Sequence, residues 1–312
     1  MAVKLTGRSL LTLKDWTPEE VRHVLDLSHA VKKEKKKGKR LQRFQGMTLA
    51  LLFEKRSTRT RCAFETAFGE EGGHPVFLSG SDIHLGTKEA LEDTARVLGR
   101  MFDAIQFRGF AQSTMETLAK WAGVPVYNGL TDEWHPTQVL ADLMTLEEAF
   151  GSLKGRKLVF VGDGRNNVAS TLLVGCSQMG VHVSIVAPAS LHPAPDTVTW
   201  ARAMGATTGS SVVVTSDSAE GVKGADAVYT DVWVSMGEEE KSAARISLLS
   251  SYQVDEAMME KTGNRDAIFL HCLPAVKGKE VTVDVIEGRR SRVWDEAENR
   301  KHTIKAMMLA TL

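Results

Sequence analysis

Hydroxyl and guanidinium side chains are concentrated in one short stretch of the chain, Ser57-Thr58-Arg59-Thr60-Arg61. The apolar run at residues 47–53 precedes it and predicts a buried strand, and residues 62–68 follow it with apolar side chains at helical spacing. The stretch would lie where a strand turns into a helix, and free backbone N–H groups and the helix dipole favour an anion there. Hydroxyls and forked guanidinium donors suit a phosphate group. The alternative is a solvated basic loop that caps the helix through Ser57 or Thr58.

Arg108 and His135 stand at the ends of two further predicted strands. Arg108 follows the apolar run at 104–107, whereas His135 follows the run at 124–128 and opens a helix with Gln138 in its first turn. Strands that alternate with helices predict a parallel sheet, and functional side chains of such sheets collect at the carboxyl ends of the strands. We therefore expect Arg108, His135 and residues 57–61 to meet at one edge of a sheet.

A second alternating series begins at residue 157 and has polar strand ends of its own. Residues 162–167 (GDGRNN) follow its first strand, but the third glycine position is Asn167 and the next strand ends without an acid, which disfavours a dinucleotide site. Asn167 is either a helix cap or an amide directed at a substrate carboxylate. Asp231 is either a helix cap or the partner of a substrate ammonium group, and Ser235 and Met236 follow it in a small-residue loop typical of a lid.

Cys272 follows a predicted strand in the sequence His271-Cys272-Leu273-Pro274. A buried cysteine usually serves as an inert, small apolar side chain, but beside His271 at a strand end it is also a candidate nucleophile. Neither a serine nucleophile elbow nor a Cys-His-Asn series accompanies it. The bond between Leu273 and Pro274 is a candidate cis peptide that would shape the turn.

Length and composition exclude several classes of protein. The 312 residues include 39 acidic and 39 basic side chains, and this balance argues against a general nucleic-acid or anionic-membrane binder. No apolar run approaches the ~18 residues of a membrane span, and the N-terminus lacks the apolar core of a signal peptide. Three scattered cysteines without metal-ligand spacing fit a reducing compartment. We therefore expect a cytoplasmic protein.

The order of the elements predicts an α/β protein with two domains, each a mostly parallel sheet flanked by helices. Strands are predicted at residues 47–53, 76–78, 104–107, 124–128, 157–162, 181–187, 225–230 and 267–270. The domains would span residues 1–150 and 151–298, and a C-terminal helix at 299–312 would pack back on the first domain. The first helix is predicted to begin at Thr17-Pro18-Glu19-Glu20 with a capping box. The lysine-rich run at 32–40 is either a polyanion patch or, as the helix dipole favours, a solvated C-terminal turn.

Five of these segments, in this order, resemble motifs of the aspartate/ornithine carbamoyltransferase family, and the resemblance covers nearly the whole chain. Residues 57–61 are similar to its S-x-R-T-R motif, and His135-Pro136-Thr137-Gln138 is similar to its H-P-x-Q helix start. Three more segments resemble the ornithine branch: Asp231 with Ser235-Met236-Gly237, His271-Cys272-Leu273-Pro274, and Glu298-Asn299-Arg300. The aspartate branch needs cations for a side-chain carboxylate, whereas Asp231 suits a cationic substrate.

The resemblance implies a reaction of arginine metabolism. A carbamoyl group passes from carbamoyl phosphate to the side-chain amine of L-ornithine and gives L-citrulline and phosphate, without a metal or an organic cofactor. One domain would bind carbamoyl phosphate and the other ornithine. The resemblance also implies a homotrimer or a multiple of trimers, in which a loop of the neighbouring subunit, here at His84, reaches the site. Nucleic acid and membranes are not expected as partners.

The resemblance assigns roles to individual residues. Catalytic roles fall to Arg59, Arg108, His135, Asp231 and Cys272. Carbamoyl phosphate would be bound by Ser57, Thr58, Arg59, Thr60, Arg61, His84, Arg108, His135, Gln138, Cys272, Leu273 and Arg300, and ornithine by Asn167, Asp231, Ser235 and Met236. Cys272 would act by hydrogen bonding or thiolate electrostatics, without a covalent intermediate.

Three alternatives stay open. A carbamoyltransferase of the same family that acts on putrescine or another amine is the nearest, and its diamine would lack the carboxylate that Asn167 reads. A non-catalytic binder of phosphate metabolites is the second, and the retained set of Arg108, His135 and Cys272 argues against it. An NAD-linked dehydrogenase is the third, and it is disfavoured by Asn167 and the missing acid.

Overall fold

The computed structural model describes residues 3–80, 89–234 and 242–312. The chain divides into two compact units, one formed by Met1–Met144 with Asn299–Leu312 and the other by Thr145–Glu298. Each unit is built on a parallel sheet, so the predicted α/β class is confirmed. His84, Ser235 and Met236 lie outside the described residues, and their assigned roles stay predictions.

Nine strands and twelve α-helices lie within the described residues. The strands are β1 (Thr48–Phe53), β2 (His74–Ser79), β3 (Ala104–Arg108), β4 (Val126–Leu130), β5 (Lys157–Val161), β6 (His182–Val186), β7 (Val212–Thr215), β8 (Ala227–Tyr229) and β9 (Ile268–Leu270). The helices are α1 (Pro18–Lys36), α2 (Thr58–Gly69), α3 (Leu91–Met101), α4 (Gln112–Ala122), α5 (Pro136–Phe150), α6 (Asn167–Gln178), α7 (Pro195–Thr208), α8 (Ser218–Val222), α9 (Ser242–Leu249), α10 (Glu256–Lys261), α11 (Val283–Ile286) and α12 (Val293–Thr311).

The first unit contains a four-stranded parallel sheet with the order β2-β1-β3-β4. Every residue of β1 after Thr48 is buried, which explains why this strand reads as an unbroken apolar run. Phe53 at the end of β1 is in register with Arg108 at the end of β3. The strand order reverses between β1 and β3, and α/β proteins bind ligands beyond the strand ends at such a point.

The second unit contains a five-stranded parallel sheet with the order β7-β6-β5-β8-β9. Here the order reverses between β5 and β8. Tyr229, the last residue of β8, is in register with Phe160 of β5 and with Leu270 of β9. The segments that follow these three strands therefore start side by side, and they carry Asn167, Asp231 and Cys272.

Local signals set the ends of several helices. The capping box of α1 is confirmed, because the Thr17 side chain accepts from the Glu20 N–H and the Glu20 carboxylate accepts from the Thr17 N–H. The helices α5 and α12 each contain a residue at which one unit ends and the other begins. Among the described residues, no helix combines the length and the apolar character that crossing a membrane requires.

Candidate active site

The N-terminus of α2 lies directly after β1, as the sequence predicts. Ser57 is the N-cap residue, and its hydroxyl accepts a hydrogen bond from the Thr60 N–H at 3.2 Å. No acidic side chain occupies the first turn of α2, so the positive end of the helix dipole is not neutralised from within that turn. Ser57 is thus a helix cap, and its capping role keeps the first turn of the helix in place for an anion.

Thr60 is the centre of a buried group of cations. Its hydroxyl oxygen accepts from Arg108 Nη1 at 3.2 Å and from Arg300 Nη2 at 3.1 Å. Arg300 Nη2 also lies 3.5 Å from the hydroxyl of Thr137 in the first turn of α5. Thr60, Arg108 and Arg300 are all buried, and together with the buried His135 we call them the arginine cluster. Two guanidiniums on one hydroxyl concentrate positive charge at a place where an anion is needed.

His135 precedes α5 and is buried. Burial lowers the pKa of His135 well below its ordinary value, and the positive charges of Arg300, Arg108 and Arg59 lower it further. The imidazole is therefore neutral at pH 7. A neutral imidazole can donate one hydrogen bond to a carbonyl oxygen without carrying a net charge.

Close packing of β4 against α2 depends on Gly129. A Cβ atom at this position would lie 3.0 Å from Thr60 Cγ2 and 2.4 Å from Gln106 Nε2. A larger residue would therefore push Thr60 away from the guanidiniums. Gln138, in the first turn of α5, is also buried, and its amide nitrogen donates to Asp142 Oδ1 at 2.8 Å. This bond orients the amide oxygen of Gln138 as a hydrogen-bond acceptor.

One residue of the predicted phosphate-binding stretch, Arg61, contacts residues outside the arginine cluster. Arg61 is exposed, its Nε donates to Glu65 Oε1 at 2.9 Å, and its guanidinium lies 3.8 Å from the centre of the Phe77 ring. Thr58 is exposed as the first residue of α2, and Arg59 is half-buried. The structure thus brings Thr60 and Ser57 to the arginine cluster but engages Arg61 elsewhere.

In the second unit, Asp231 and Cys272 are in direct contact. Cys272 Sγ lies 3.1 Å from Asp231 Oδ1, which also accepts from the Val232 N–H at 2.8 Å. Asp231 Oδ2 accepts from the side-chain amide of Asn166 at 2.8 Å. We call Asp231 and Cys272 the acid–thiol pair. Asp231 is buried and Cys272 half-buried, so the pair offers a negative group to a cation in a largely dry environment.

Asn166 and Asn167 share the start of α6. Asn166 is the N-cap residue, and its side-chain oxygen accepts from the Val168 N–H at 2.6 Å while its nitrogen holds Asp231. Asn167 is the first helical residue and is half-buried. The capping role considered for Asn167 therefore belongs to its neighbour. Asp163 lies on the loop before α6, and its carboxylate accepts from Arg165 on the same loop and from Arg245 on α9.

The loop that carries Cys272 is held by buried polar contacts. The Leu273 N–H donates to His271 Nδ1 at 2.8 Å, and His271 Nε2 lies 3.4 Å from Glu280 Oε1, which also accepts from the Val276 N–H. Glu280 and His271 are both buried. The bond between Leu273 and Pro274 is cis, so that prediction is confirmed, and Leu273 has a φ of 59°. A leucine rarely adopts this left-handed conformation, and such residues cluster at functional sites.

Asp231, His271 and Cys272 also meet the distance criterion for a metal site among the described residues, with ligand atoms within 4.8 Å of one another. The geometry of His271 argues against a metal ligand, however, since Nδ1 accepts from the Leu273 N–H and Nε2, which then carries the ring proton, lies 3.4 Å from Glu280 Oε1. The expectation of a metal-free site stays a prediction.

Two residues that contact these groups, and one buried cation elsewhere in the first unit, were not identified from the sequence. Thr137 contacts Arg300 and lies inside the H-P-T-Q segment, so the motif was a signal for it. Asn166 was hidden by its neighbour Asn167. Lys55 is buried, forms an ion pair with Asp132 and lies 4.4 Å from the centre of the Phe110 ring. Nothing in the local pattern separates Lys55 from an ordinary loop lysine.

Comparison with known proteins finds a separate family match for each part of the chain, and the second match also covers residues 299–311, which belong to the first unit. Residues 8–148 match the family described as "Aspartate/ornithine carbamoyltransferase, carbamoyl-P binding domain". Residues 154–311 match "Aspartate/ornithine carbamoyltransferase, Asp/Orn binding domain". Both descriptions agree with the kind of side chain found in each unit, cationic in the first and anionic in the second.

Individual relatives are similar over their whole length. The ornithine carbamoyltransferases of Caldanaerobacter subterraneus subsp. tengcongensis and Pseudothermotoga lettingae are 68% and 64% identical over 312 residues, which is 100% of each chain. The solved structure of ornithine carbamoyltransferase from Pyrococcus furiosus superposes with a TM-score of 0.96 at 43% identity and covers 99% of this chain and 98% of its own. The chain belongs to the aspartate/ornithine carbamoyltransferase family.

Proposed function

We propose that this chain transfers the carbamoyl group of carbamoyl phosphate to the side-chain amine of L-ornithine, producing L-citrulline and phosphate. The observation that carries the proposal is the contact between Asp231 and Cys272 at adjoining strand ends of the second unit. A buried carboxylate selects a cationic amino acid, whereas an acceptor with a side-chain carboxylate would be repelled by it. The names of the relatives support the same acceptor.

The donor is assigned to the first unit. Its phosphate binds the N-terminal turn of α2, where Ser57, Thr58, Arg59 and Thr60 supply N–H, hydroxyl and guanidinium donors. Its carbamoyl oxygen accepts from Thr60, Arg108 and neutral His135. The amide oxygen of Gln138 accepts from the carbamoyl NH2 group. Arg300 reinforces Thr60 through the 3.1 Å contact between them.

The acceptor is assigned to the second unit. The free side-chain amine of ornithine has a pKa of about 10, like that of lysine, so it arrives protonated at neutral pH. Asp231 attracts the ammonium group, and Cys272 fixes its direction. Asn167, with Ser235 and Met236, holds the α-carboxylate and α-amino ends. A diamine such as putrescine has no carboxylate to offer Asn167, so it binds less well.

The reaction balances without a cofactor. The bound ammonium group first loses one proton to solvent. The neutral amine nitrogen then attacks the carbamoyl carbon, and the carbonyl oxygen becomes negative in the transition state. The bond from that carbon to the phosphate oxygen breaks, and the departing phosphate takes up the amine proton. Donors aimed at the developing oxyanion typically contribute about 3–4 kcal/mol each when they are pre-positioned. Arg108 and Thr60 meet that condition because burial and mutual hydrogen bonds fix them.

The assembly and the cellular location of the chain are part of the same proposal. We propose a cytoplasmic homotrimer, or a multiple of trimers, in which His84 of one subunit contributes to the donor site of its neighbour. In a cyclic trimer, each subunit extends its loop to one neighbour and receives the loop of the other neighbour.

A citrulline assay with a panel of acceptors tests the function. We expect ornithine to be used with a kcat/KM at least about a hundredfold above that of putrescine or aspartate, because a buried unpaired polar group costs several kcal/mol. Equal use of putrescine would assign the chain to another amine. Carbamoyl-phosphate binding without any carbamoylated product would instead show that the chain is a non-catalytic binder of phosphate metabolites.

A further inference from the structure

A buried carboxylate in the second unit links the two strand ends that carry the acid–thiol pair. Glu296 lies in the first turns of α12 and is 1% exposed. Its Oε1 accepts from the hydroxyl of Tyr229 at 3.2 Å, and its Oε2 accepts from the backbone N–H of His271 at 3.0 Å. The two oxygens of one side chain therefore accept hydrogen bonds from the ends of two different strands.

Both hydrogen-bond partners stand next to residues of the proposed chemistry. Tyr229 is the last residue of β8, and Asp231 comes two positions later. His271 follows β9 directly, and Cys272 is the next residue. The contact of 3.1 Å between Cys272 and Asp231 completes a ring that runs from Glu296 through each strand end and back. The separation of the acid and the thiol thus depends on where Glu296 holds Tyr229 and His271.

The cost of burial indicates why the residue type matters. A carboxylate removed from water is expensive unless both oxygens are hydrogen-bonded, and here both accept from groups of the two strand ends. Removal of the side chain takes away the acceptor of the Tyr229 hydroxyl and of the His271 N–H, which are both buried. A buried donor without an acceptor destabilises the local structure unless it finds another partner. The strand ends would then relax, and a misplacement of ~1 Å near reacting groups can cost about a hundredfold in rate.

We infer that Glu296 is a positioning residue for the acceptor amine: through Tyr229 and His271 it sets the distance between Asp231 and Cys272 without touching a substrate. The inference rests on the proposed function for its kinetic consequence. Its geometric consequence, a fixed acid–thiol contact, does not depend on which amine is carbamoylated.

Three variants separate positioning from general stability. Glu296→Leu removes both acceptors and keeps similar volume. Glu296→Gln restores them, since its amide oxygen accepts from the His271 N–H and its nitrogen donates to the Tyr229 oxygen. Tyr229→Phe removes one bond of the ring alone and serves if Glu296→Leu does not fold. Val293→Ala, a cavity variant in the buried core of the same unit, is the stability control.

We expect Glu296→Leu to raise the KM for ornithine about tenfold or more and to leave the dissociation constant of carbamoyl phosphate within about twofold of the parent. Glu296→Gln should stay within about threefold of the parent, and Tyr229→Phe should fall between the two. Val293→Ala should lower the melting temperature without a change in the KM for ornithine. Equal weakening of both substrates, or the same ornithine KM shift in Val293→Ala, would overturn the inference.

Alkylation of Cys272 provides a readout that does not require turnover. In a Cys62→Ser background the exposed thiol is gone and Cys176 is buried, so iodoacetamide reports on Cys272. The rate should rise about threefold or more in Glu296→Leu, because the thiol is no longer held as a donor to Asp231, and Glu296→Gln should keep the parent rate. An unchanged rate in Glu296→Leu would refute the positioning role. A parent enzyme that makes no citrulline but shows the expected alkylation pattern would refute the function alone.

Discussion

At the scale of single residues, Thr60 has the most specific task. Its hydroxyl oxygen accepts from both Arg108 and Arg300, so its own proton is left to donate to a bound anion. We expect Thr60→Val, which keeps the shape of the side chain, to lower kcat about a hundredfold or more, because an oxyanion donor is lost and two guanidiniums lose their acceptor. Steady-state kinetics with both substrates varied would measure this.

Thr66→Val is a matched control for that variant. Thr66 lies on the same helix, is exposed, and bonds to the backbone carbonyl of Cys62 rather than to a guanidinium. Its replacement should leave kcat within about twofold of the parent, as expected for a surface position. Similar losses in the two variants would show that α2 tolerates no β-branched apolar residue, and the role of the Thr60 hydroxyl would be withdrawn.

His135 connects the arginine cluster to the pH dependence of stability. Its pKa in the folded chain lies well below the ordinary value because of burial and then of Arg300, Arg108 and Arg59. The unfolded chain therefore takes up a proton near pH 6.5 that the folded chain does not. The free energy of unfolding should fall as the pH drops below about 6.5, by up to about 1.4 kcal/mol per pH unit from this one group.

Urea unfolding of His135→Gln at pH 8, 6.5 and 5.5 measures that contribution. The variant should lose less stability than the parent between pH 6.5 and 5.5, because its side chain does not titrate. His23→Gln, at an exposed position of α1, should keep the parent's pH dependence. A parent and a His135→Gln variant with parallel profiles would contradict a neutral, buried His135.

Single residues also show where reasoning from sequence stops. Polar or reactive side chains at the ends of predicted strands indicated four site residues, because parallel strands bring their carboxyl ends together. These residues are Arg108, His135, Asp231 and Cys272. Sequence spacing does not distinguish Asn166 from Asn167, since both open the same helix and only the backbone geometry decides which one caps it. The contact of Arg300 with Thr60 spans 240 positions, and only the resemblance to a family suggested it.

At the scale of elements, the fully buried strands were predictable, and one of the edge strands was not. β1 after Thr48 and the whole of β3 are buried, and both were identified from their mostly apolar sequences. β7 was missed, because it lies at an edge of its sheet and its residues are half-buried or exposed. Its burial pattern follows from having one neighbouring strand instead of two. The fold class was nonetheless predictable, since the strands that precede the candidate site residues were all identified, including β4 and β9 at the edges of their sheets.

Three helices of the first unit meet at an ionic network around Glu70. Glu70 caps the C-terminus of α2 and pairs with Lys35 of α1 at 2.7 Å and with Lys305 of α12 at 3.0 Å. Burial opposes its ionisation, but hydrogen bonds from Lys35 and Lys305 lower the pKa of Glu70 to about 2. The stabilising contribution is complete above pH 4.5, the ordinary value, and is lost as the pH falls toward 2.

Glu70→Gln should therefore lower the melting temperature at pH 7 and flatten its decline between pH 4.5 and 3. The variant is expected to fold, because buried Lys305 keeps Glu71 as a partner at 3.2 Å. Glu65→Gln on the same helix is the control, since Glu65 has one i,i+4 partner, Arg61, and such surface pairs contribute about 0.3–0.5 kcal/mol. A Glu70→Gln profile that runs parallel to the parent's in acid would refute the pKa assignment.

At the scale of the whole molecule, the two kinds of chemistry belong to different units. The arginine cluster lies within the first unit, with Arg300 supplied by the C-terminal segment, and the acid–thiol pair lies within the second. The segment Asn299–Leu312 follows the second unit in the chain but belongs to the first, and it supplies the Arg300 that contacts Thr60. Truncation before residue 299 would therefore remove part of the arginine cluster.

Sharing of His84 between subunits predicts complementation in mixed trimers. Arg59→Ala and His84→Ala should each abolish most activity when assembled alone, because each removes a proposed ligand of carbamoyl phosphate. In trimers reassembled from an equal mixture, a site is complete when its own subunit carries Arg59 and its neighbour carries His84. Random assembly makes about a quarter of the sites complete, so about a quarter of the parent activity should return.

The control for this experiment is a mixture of Arg59→Ala and Arg108→Ala. Both residues belong to the first unit and both lower the pKa of His135 in the same chain, so no arrangement of these subunits restores a complete site. Activity should stay at the level of the separate variants, with trimers verified by light scattering. Return of activity in the control would mean that Arg59 and Arg108 of one chain contribute to two different active sites. Failure of the His84 mixture, in verified trimers, would confine His84 to its own subunit and remove the physical reason for a shared active site.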